Sequence, residues 1–149
     1  MIRDATEGDV SALVQMGKAF HGMSGYAEVI EFAPASFEAT VLNMIADNNS
    51  VILVMERNAK IVGMAAGLVY PIYFNHAHKT SQELFWWVSP DARGSEALAL
   101  KAALEYAVNS MGAASLAMMN MPGLRDKALA RLYRLHGYKS MEQSFIKVF

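Results

Sequence analysis

The chain contains no cysteine, which excludes disulfides, thiolate metal sites and a covalent mechanism through a cysteine nucleophile. It also lacks any run of Lys or Arg. Its 13 basic residues are balanced by 14 acidic ones, for a formal net charge of -1, so the cationic footprint of a nucleic-acid binder is missing. No apolar stretch approaches the roughly 18 residues of a membrane span. The opening residues Met1-Ile2-Arg3-Asp4-Ala5-Thr6-Glu7 are charged, unlike an export signal. Repeats and low-complexity tracts are absent as well. The expectation is a cytoplasmic protein that meets neither nucleic acid nor membrane. Its 149 residues suit one domain, 1–149, large enough to bury roughly two thirds of its unfolded surface.

Apolar residues are plentiful, and 11 of them are methionine. Met111, Met118, Met119, Met121 and Met141 lie close together in sequence. Such side chains serve either as adaptable core fillers or as the lining of a pliable pocket or subunit interface.

Ile2 to Ala5 reads as a short strand, and Thr6 is placed to cap a helix whose apolar positions Val10, Leu13, Val14 and Phe20 share one face. That helix gives out between His21 and Gly25. Pro34 opens a second helix with Phe37, Val41, Met44 and Ile45 on one side, ending at Asp47-Asn48-Asn49-Ser50. Val51 to Glu56 and Ile61 to Tyr70 are β-rich and joined by Arg57-Asn58-Ala59-Lys60, which suits an antiparallel hairpin. Gly63 and Gly67 mark either a bulge or close backbone approach, or simply a weakly packed strand. Pro71 to Thr80 reads as a loop and Gln82 to Val88 as the next strand. Strand alternation would place Glu83, Phe85 and Trp87 on one face, and Gln82, Leu84, Trp86 and Val88 on the other.

Val88-Ser89-Pro90-Asp91-Ala92-Arg93-Gly94 then leads into a helix from Ser95 to Met111, stopped by Gly112. A strand that turns directly into a helix start presents unpaired amide N–H groups, where a phosphate can sit. The same residues also make an ordinary connection. Ala114 to Met119 reads as a buried strand, so strand, helix and strand form a βαβ unit with a right-handed crossover and a parallel pair. A last helix spans Arg125 to His136, followed by strands near Tyr138 and from Ser144 to Phe149. His76-Ala77-His78 has no third ligand at recognisable spacing, so no metal is expected. Those histidines, with Tyr70, Tyr73, Phe74 and Asn75, form either a substrate loop or an exposed polar one.

Three segments resemble the GNAT N-acetyltransferase superfamily, in order and over essentially the whole chain. Ile2-Arg3-Asp4-Ala5-Thr6 with Asp9 is similar to its opening strand and cap. The Val88 to Gly94 stretch resembles its acetyl-CoA loop. Leu132-Tyr133-Arg134-Leu135-His136-Gly137-Tyr138 resembles its Leu-Tyr-x-x-x-Gly-Phe/Tyr motif. A variant often encoded by bacteriophages is similar too, since it keeps Arg-Gly and loses the later glycines. The resemblance implies an α/β (α+β) fold, with a mixed, mostly antiparallel sheet, a central parallel pair and about four flanking helices. It implies acetyl-CoA as co-substrate in a V between the fourth and fifth strands, and an acyl group passed directly to a primary amine of a small molecule or protein.

On the same resemblance, the pyrophosphate would lie on Arg93, Gly94, Ser95, Glu96, Ala97 and Leu98. Glu96 and Leu98 depart from the small residues of the family pattern, and Glu96 adds unfavourable charge. That departure supports an alternative, a catalytically silent CoA-binding or protein-interaction module. Trp87 and Val88 would hold the pantetheine arm through their backbone groups, with the Val88 N–H polarising the acetyl carbonyl. Tyr133 would donate to the thioester sulfur. Glu83 is either the general base for the substrate ammonium or a solvated carboxylate at a strand end. Dimerisation is implied as well, through the β-rich end Phe145 to Phe149.

Overall fold

The structure, a computed structural model, describes all 149 residues. Strand β1 (Ile2–Asp4) is followed by a capping turn and helix α1 (Val10–Met23), then helix α2 (Pro34–Ala46). Strands β2 (Ser50–Arg57), β3 (Lys60–Ile72) and β4 (Asn75–Val88) follow as a meander. Helix α3 (Ser95–Ser110), strand β5 (Ser115–Ala117) and helix α4 (Asp126–Leu135) complete the order. The five strands form one sheet in sequence order, antiparallel from β1 to β4, with β4 and β5 parallel. This is the mixed, mostly antiparallel α/β architecture expected from the sequence, except that the parallel pair lies at the edge of the sheet and not at its centre, because no strand forms beyond β5. No helix is long and apolar enough to cross a membrane.

Alternation along the strands divides the core into two layers. Ile52, Val54, Met64, Ala66, Phe85 and Trp87 face α1 and α2, packing on Val10, Leu13, Met16, Val41 and Met44. Leu53, Met55, Ala65 and Val88 face α3, against Leu100, Leu104 and Val108. Gly67 lets α3 lie close on the sheet: a Cβ there would stand 2.9 Å from Val108 Cγ1 and 3.3 Å from Leu104 Cδ1. Gly67→Ala is therefore expected to destabilise the fold by about 1–3 kcal/mol through overpacking. Urea unfolding measures this, and a loss below about 0.5 kcal/mol would refute the close approach.

Several sequence expectations are corrected. Pro71 to Thr80 is not a loop. β3 continues to Ile72 and β4 starts at Asn75, with Tyr70 opposite Thr80 and Ile72 opposite Asn75, so Tyr73-Phe74 is the tip of a long hairpin. Its aromatic and β-branched residues favour the extended ladder, and the two tip rings lie 4.1 Å apart. The strand predicted from Ala114 to Met119 shrinks to Ser115–Ala117, with Ser115 and Ala117 exposed. No strand forms near Tyr138 or from Ser144 to Phe149. Phe145, Ile146, Val148 and Phe149 stand exposed. A strand exists through its ladder, and three residues of β5 offer little template.

The ladder between β3 and β4 contains one irregularity that matters for the site. Ala66 pairs with Phe85, but the next residue, Gly67, pairs with Glu83, which leaves Leu84 as an extra residue in β4. Such a bulge reverses the facing of everything beyond it.

Candidate active site

β4 and β5 pair only from Thr80 opposite Ser115 to Gln82 opposite Ala117. Beyond that point β4 runs on through Val88 with no strand beside its outer edge. The ladder between the two parallel strands thus ends just before Glu83, and the unpaired stretch from there to Val88 is the wedge, with Glu83 at its apex.

Because of the bulge, Glu83 shares the face of Gly67, whose neighbours are Val108 and Leu104 of α3. It does not share the face of Phe85 and Trp87, contrary to simple alternation. Its side chain is buried, 3% exposed. Oε2 accepts the Met119 N–H at 2.7 Å, while Oε1 accepts no hydrogen bond from the chain. Burial pushes this carboxyl up to about 7, against the opposing effect of the Met119 N–H. Tyr133, the only buried side chain of α4, donates its hydroxyl to the Met119 carbonyl at 3.0 Å. Burial, and then the Glu83 charge, hold the phenol well above its ordinary value. The two candidate catalytic side chains, 50 positions apart in sequence, therefore meet on the backbone of one residue, Met119.

At the other end of the wedge, Pro90–Ala92 forms a short turn and Gly94 starts α3 with φ 122° and ψ -136°. That conformation favours glycine. No side chain caps the helix. The Leu98 N–H reaches the Gly94 carbonyl at 3.3 Å, so the amides of Ser95, Glu96 and Ala97 precede the first intrahelical bond and are available to an anion. Glu96 and Leu98 are exposed, and the Glu96 carboxylate faces Arg57 at 3.4 Å. Arg57 also holds Asp91 at 3.0 Å. The charge that weighed against a phosphate site thus has its own counter-charge.

Arg93 anchors the loop. Its Nε donates to the Val88 carbonyl at 3.1 Å, and its guanidinium lies 4.8 Å from the centre of the Trp87 ring. The Ser89 N–H bonds the Val62 carbonyl on β3, so antiparallel alternation turns the Val88 N–H outward, into the wedge. By the same alternation the Trp87 backbone faces β3, opposite Met64. The Trp87 ring packs 6.0 Å from Phe20. The Trp86 indole N–H is buried without an acceptor.

His78 contacts Ser115 Oγ at 3.0 Å through Nε2, which ties the paired base of the wedge. Two participants escaped the sequence reading, Met119 and Arg57. Neither carries a local signal, since each is defined by a partner 36 or 39 positions away.

The comparisons with known proteins agree with this geometry. The model of the acetyltransferase (GNAT) family matches residues 20–138. A search of curated proteins finds no match. Among solved structures, a predicted acetyltransferase of Clostridium acetobutylicum determined with acetyl-CoA superposes with a TM-score of 0.75 at 19% identity, covering 99% of this chain and 95% of that one. A transcriptional regulator of Bacillus halodurans gives 0.76 at 22% identity, with 100% and 99% covered. An aminoglycoside 6'-N-acetyltransferase of Acinetobacter haemolyticus gives 0.72 at 14%, with 100% and 97% covered. At these identities the likeness is one of fold. The family model spans most of the chain, and this chain belongs to the GNAT acetyltransferase family.

Proposed function

We propose that the protein transfers the acetyl group of acetyl-CoA directly to a primary amine of a small molecule or a protein. The observation that carries this reading is the open wedge, with Tyr133 and Glu83 together at its apex and uncapped α3 amides at its mouth.

In this reading the pyrophosphate lies on the amides of Ser95, Glu96 and Ala97, with Arg93 and Gly94 shaping the loop and Leu98 at its rim. The Val88 N–H hydrogen-bonds the acetyl carbonyl and stabilises the oxyanion that develops there. Glu83 takes a proton from the substrate ammonium through its unpartnered Oε1, and its elevated pKa suits a base working near neutrality. The amine then attacks the thioester carbon, the carbon–sulfur bond breaks, Tyr133 gives its proton to the departing thiolate, and the proton lost by the nitrogen as the amide forms returns to the phenol through solvent. For that step the phenol must exchange the Met119 carbonyl for sulfur as its acceptor. The contact of Glu96 with Arg57, which Asp91 shares, offsets part of the charge that favoured a silent module, while Leu98 remains a departure from the family pattern.

Acetyl-CoA at a hundredfold excess over its dissociation constant should stabilise the fold by about 2.7 kcal/mol. Thermal unfolding with and without the ligand measures this, alongside CoA-thiol release with a panel of amines. A melting temperature unmoved by millimolar acetyl-CoA would sink the proposal.

A further inference from the structure

One buried charge has no part in the reaction proposed above. Lys101, on α3, is 1% exposed. Its Nζ donates to Glu105 Oε1 at 2.6 Å and lies 3.3 Å from His136 Nδ1, just past the end of α4. The ammonium also lies 5.0 Å from the centre of the Tyr138 ring, and the Tyr138 hydroxyl donates to the same Glu105 Oε1 at 2.6 Å.

Burying the Lys101 ammonium, even beside a Glu105 carboxylate that is 37% exposed, is a poor way to gain stability, because an apolar side chain of similar volume often does as well or better. What such a pair supplies is a fixed register between the elements it joins. α4 needs one. Tyr133 is its only buried side chain, so apolar packing defines its rotation and axial position weakly.

The polar cluster grips the chain immediately beyond Tyr133. The Tyr138 N–H bonds the Tyr133 carbonyl at 2.9 Å, and the two rings lie 5.4 Å apart. Contact is therefore continuous from Lys101 and Glu105, through Tyr138, to the phenol at the wedge apex.

We propose that Lys101 and Glu105 are positioning residues, which clamp the end of α4 and thereby hold the Tyr133 hydroxyl at the apex of the wedge. The kinetic consequence rests on the acetyl-transfer reading, and the structural consequence on the geometry alone.

Lys101→Met keeps the length of the side chain and removes its charge and donors. Amide hydrogen exchange across residues 126–136 should then accelerate about tenfold, with α1 unchanged. The kcat should fall about 10- to 100-fold, with KM for acetyl-CoA within about twofold of wild type. Lys101→Arg should restore much of both. Because Lys101 acts through Tyr133, adding Lys101→Met to a Tyr133→Phe protein should lower kcat little further.

Unchanged exchange over α4, or kcat losses that multiply in the double variant, would overturn the proposal. If Lys101→Met does not fold, Glu105→Gln supports the same measurements. If the wild-type protein transfers no acetyl group, the transfer reading fails, and exchange over α4 still decides whether Lys101 holds it.

Discussion

Tyr133→Phe is expected to lower kcat by about 10²- to 10⁴-fold, the range for loss of a positioned proton donor, while leaving acetyl-CoA affinity close to wild type. The substitution removes one oxygen and leaves the ring packed beside Tyr138. That oxygen donates to the Met119 carbonyl in the structure, so the variant also loses a hydrogen bond, worth about 0.5–1.5 kcal/mol. Most of the effect should still appear in the chemical step, because the bond the phenol makes to the leaving sulfur grows as negative charge develops there. Burial and the Glu83 charge keep the phenol protonated at neutral pH, so it is present as a donor throughout the working range. Single-turnover kinetics with saturating acetyl-CoA isolates this step. A rate within about threefold of wild type would remove Tyr133 from the chemistry. A matching loss of acetyl-CoA affinity would make its role one of shaping the wedge.

Much of the fold was legible because its signals are local. The hairpin turn at Arg57-Asn58-Ala59-Lys60, the βαβ order and the Arg93-Gly94 start of α3 each reside in adjacent residues, and each appears in the structure. The glycine reading resolved in favour of both a bulge and close approach, since the ladders shift register beside Gly63 and Gly67 and α3 side chains fill the space over Gly67.

What was illegible depends on pairings between distant segments. Gly67 hinted at a bulge, but nothing local places the extra residue at Leu84 of the opposite strand, because an apolar residue there suits either register. Yet it moves Glu83 from the α1 and α2 face to the α3 face, where it meets Tyr133. The segment from Pro71 to Thr80 mixes strand-favouring aromatics with Pro71 and Asn75, which read as loop, and only the opposing arm decides. The terminal segment from Ser144 has the β-rich composition of a strand but finds no ladder within the chain. The unfavourable charge of Glu96, on α3, was read from sequence without its partner Arg57, which lies at the end of β2 and also holds Asp91. In each case the sequence supplied a side chain, and a distant partner determined what it does.

Glu83→Gln should make the protein more stable at high pH and less active. The folded protein keeps the Glu83 proton up to about pH 7, whereas an ordinary carboxyl, near 4.5, loses it much earlier. The folded state therefore binds the extra proton between those values. Stability contributed by this group is complete below about pH 4.5, declines as pH rises through 7 and is absent above it. Ionising the buried carboxyl costs about 3 kcal/mol at pH 8.5 relative to pH 4.5, and a neutral Gln of the same shape avoids that cost while still accepting the Met119 N–H. Urea unfolding at pH 4.5 should thus find the variant and wild type nearly equal, and at pH 8.5 the variant should be the more stable. Activity should move the other way, by about 10²-fold or more, as the ascending limb of kcat/KM near pH 7 disappears. A limb that persists in the variant at an unchanged rate would belong to the amine itself, and Glu83 would then not be the base. Equal stability of the two proteins at both pH values would show instead that the carboxyl ionises as easily in the fold as in water, removing the burial on which its candidacy stands.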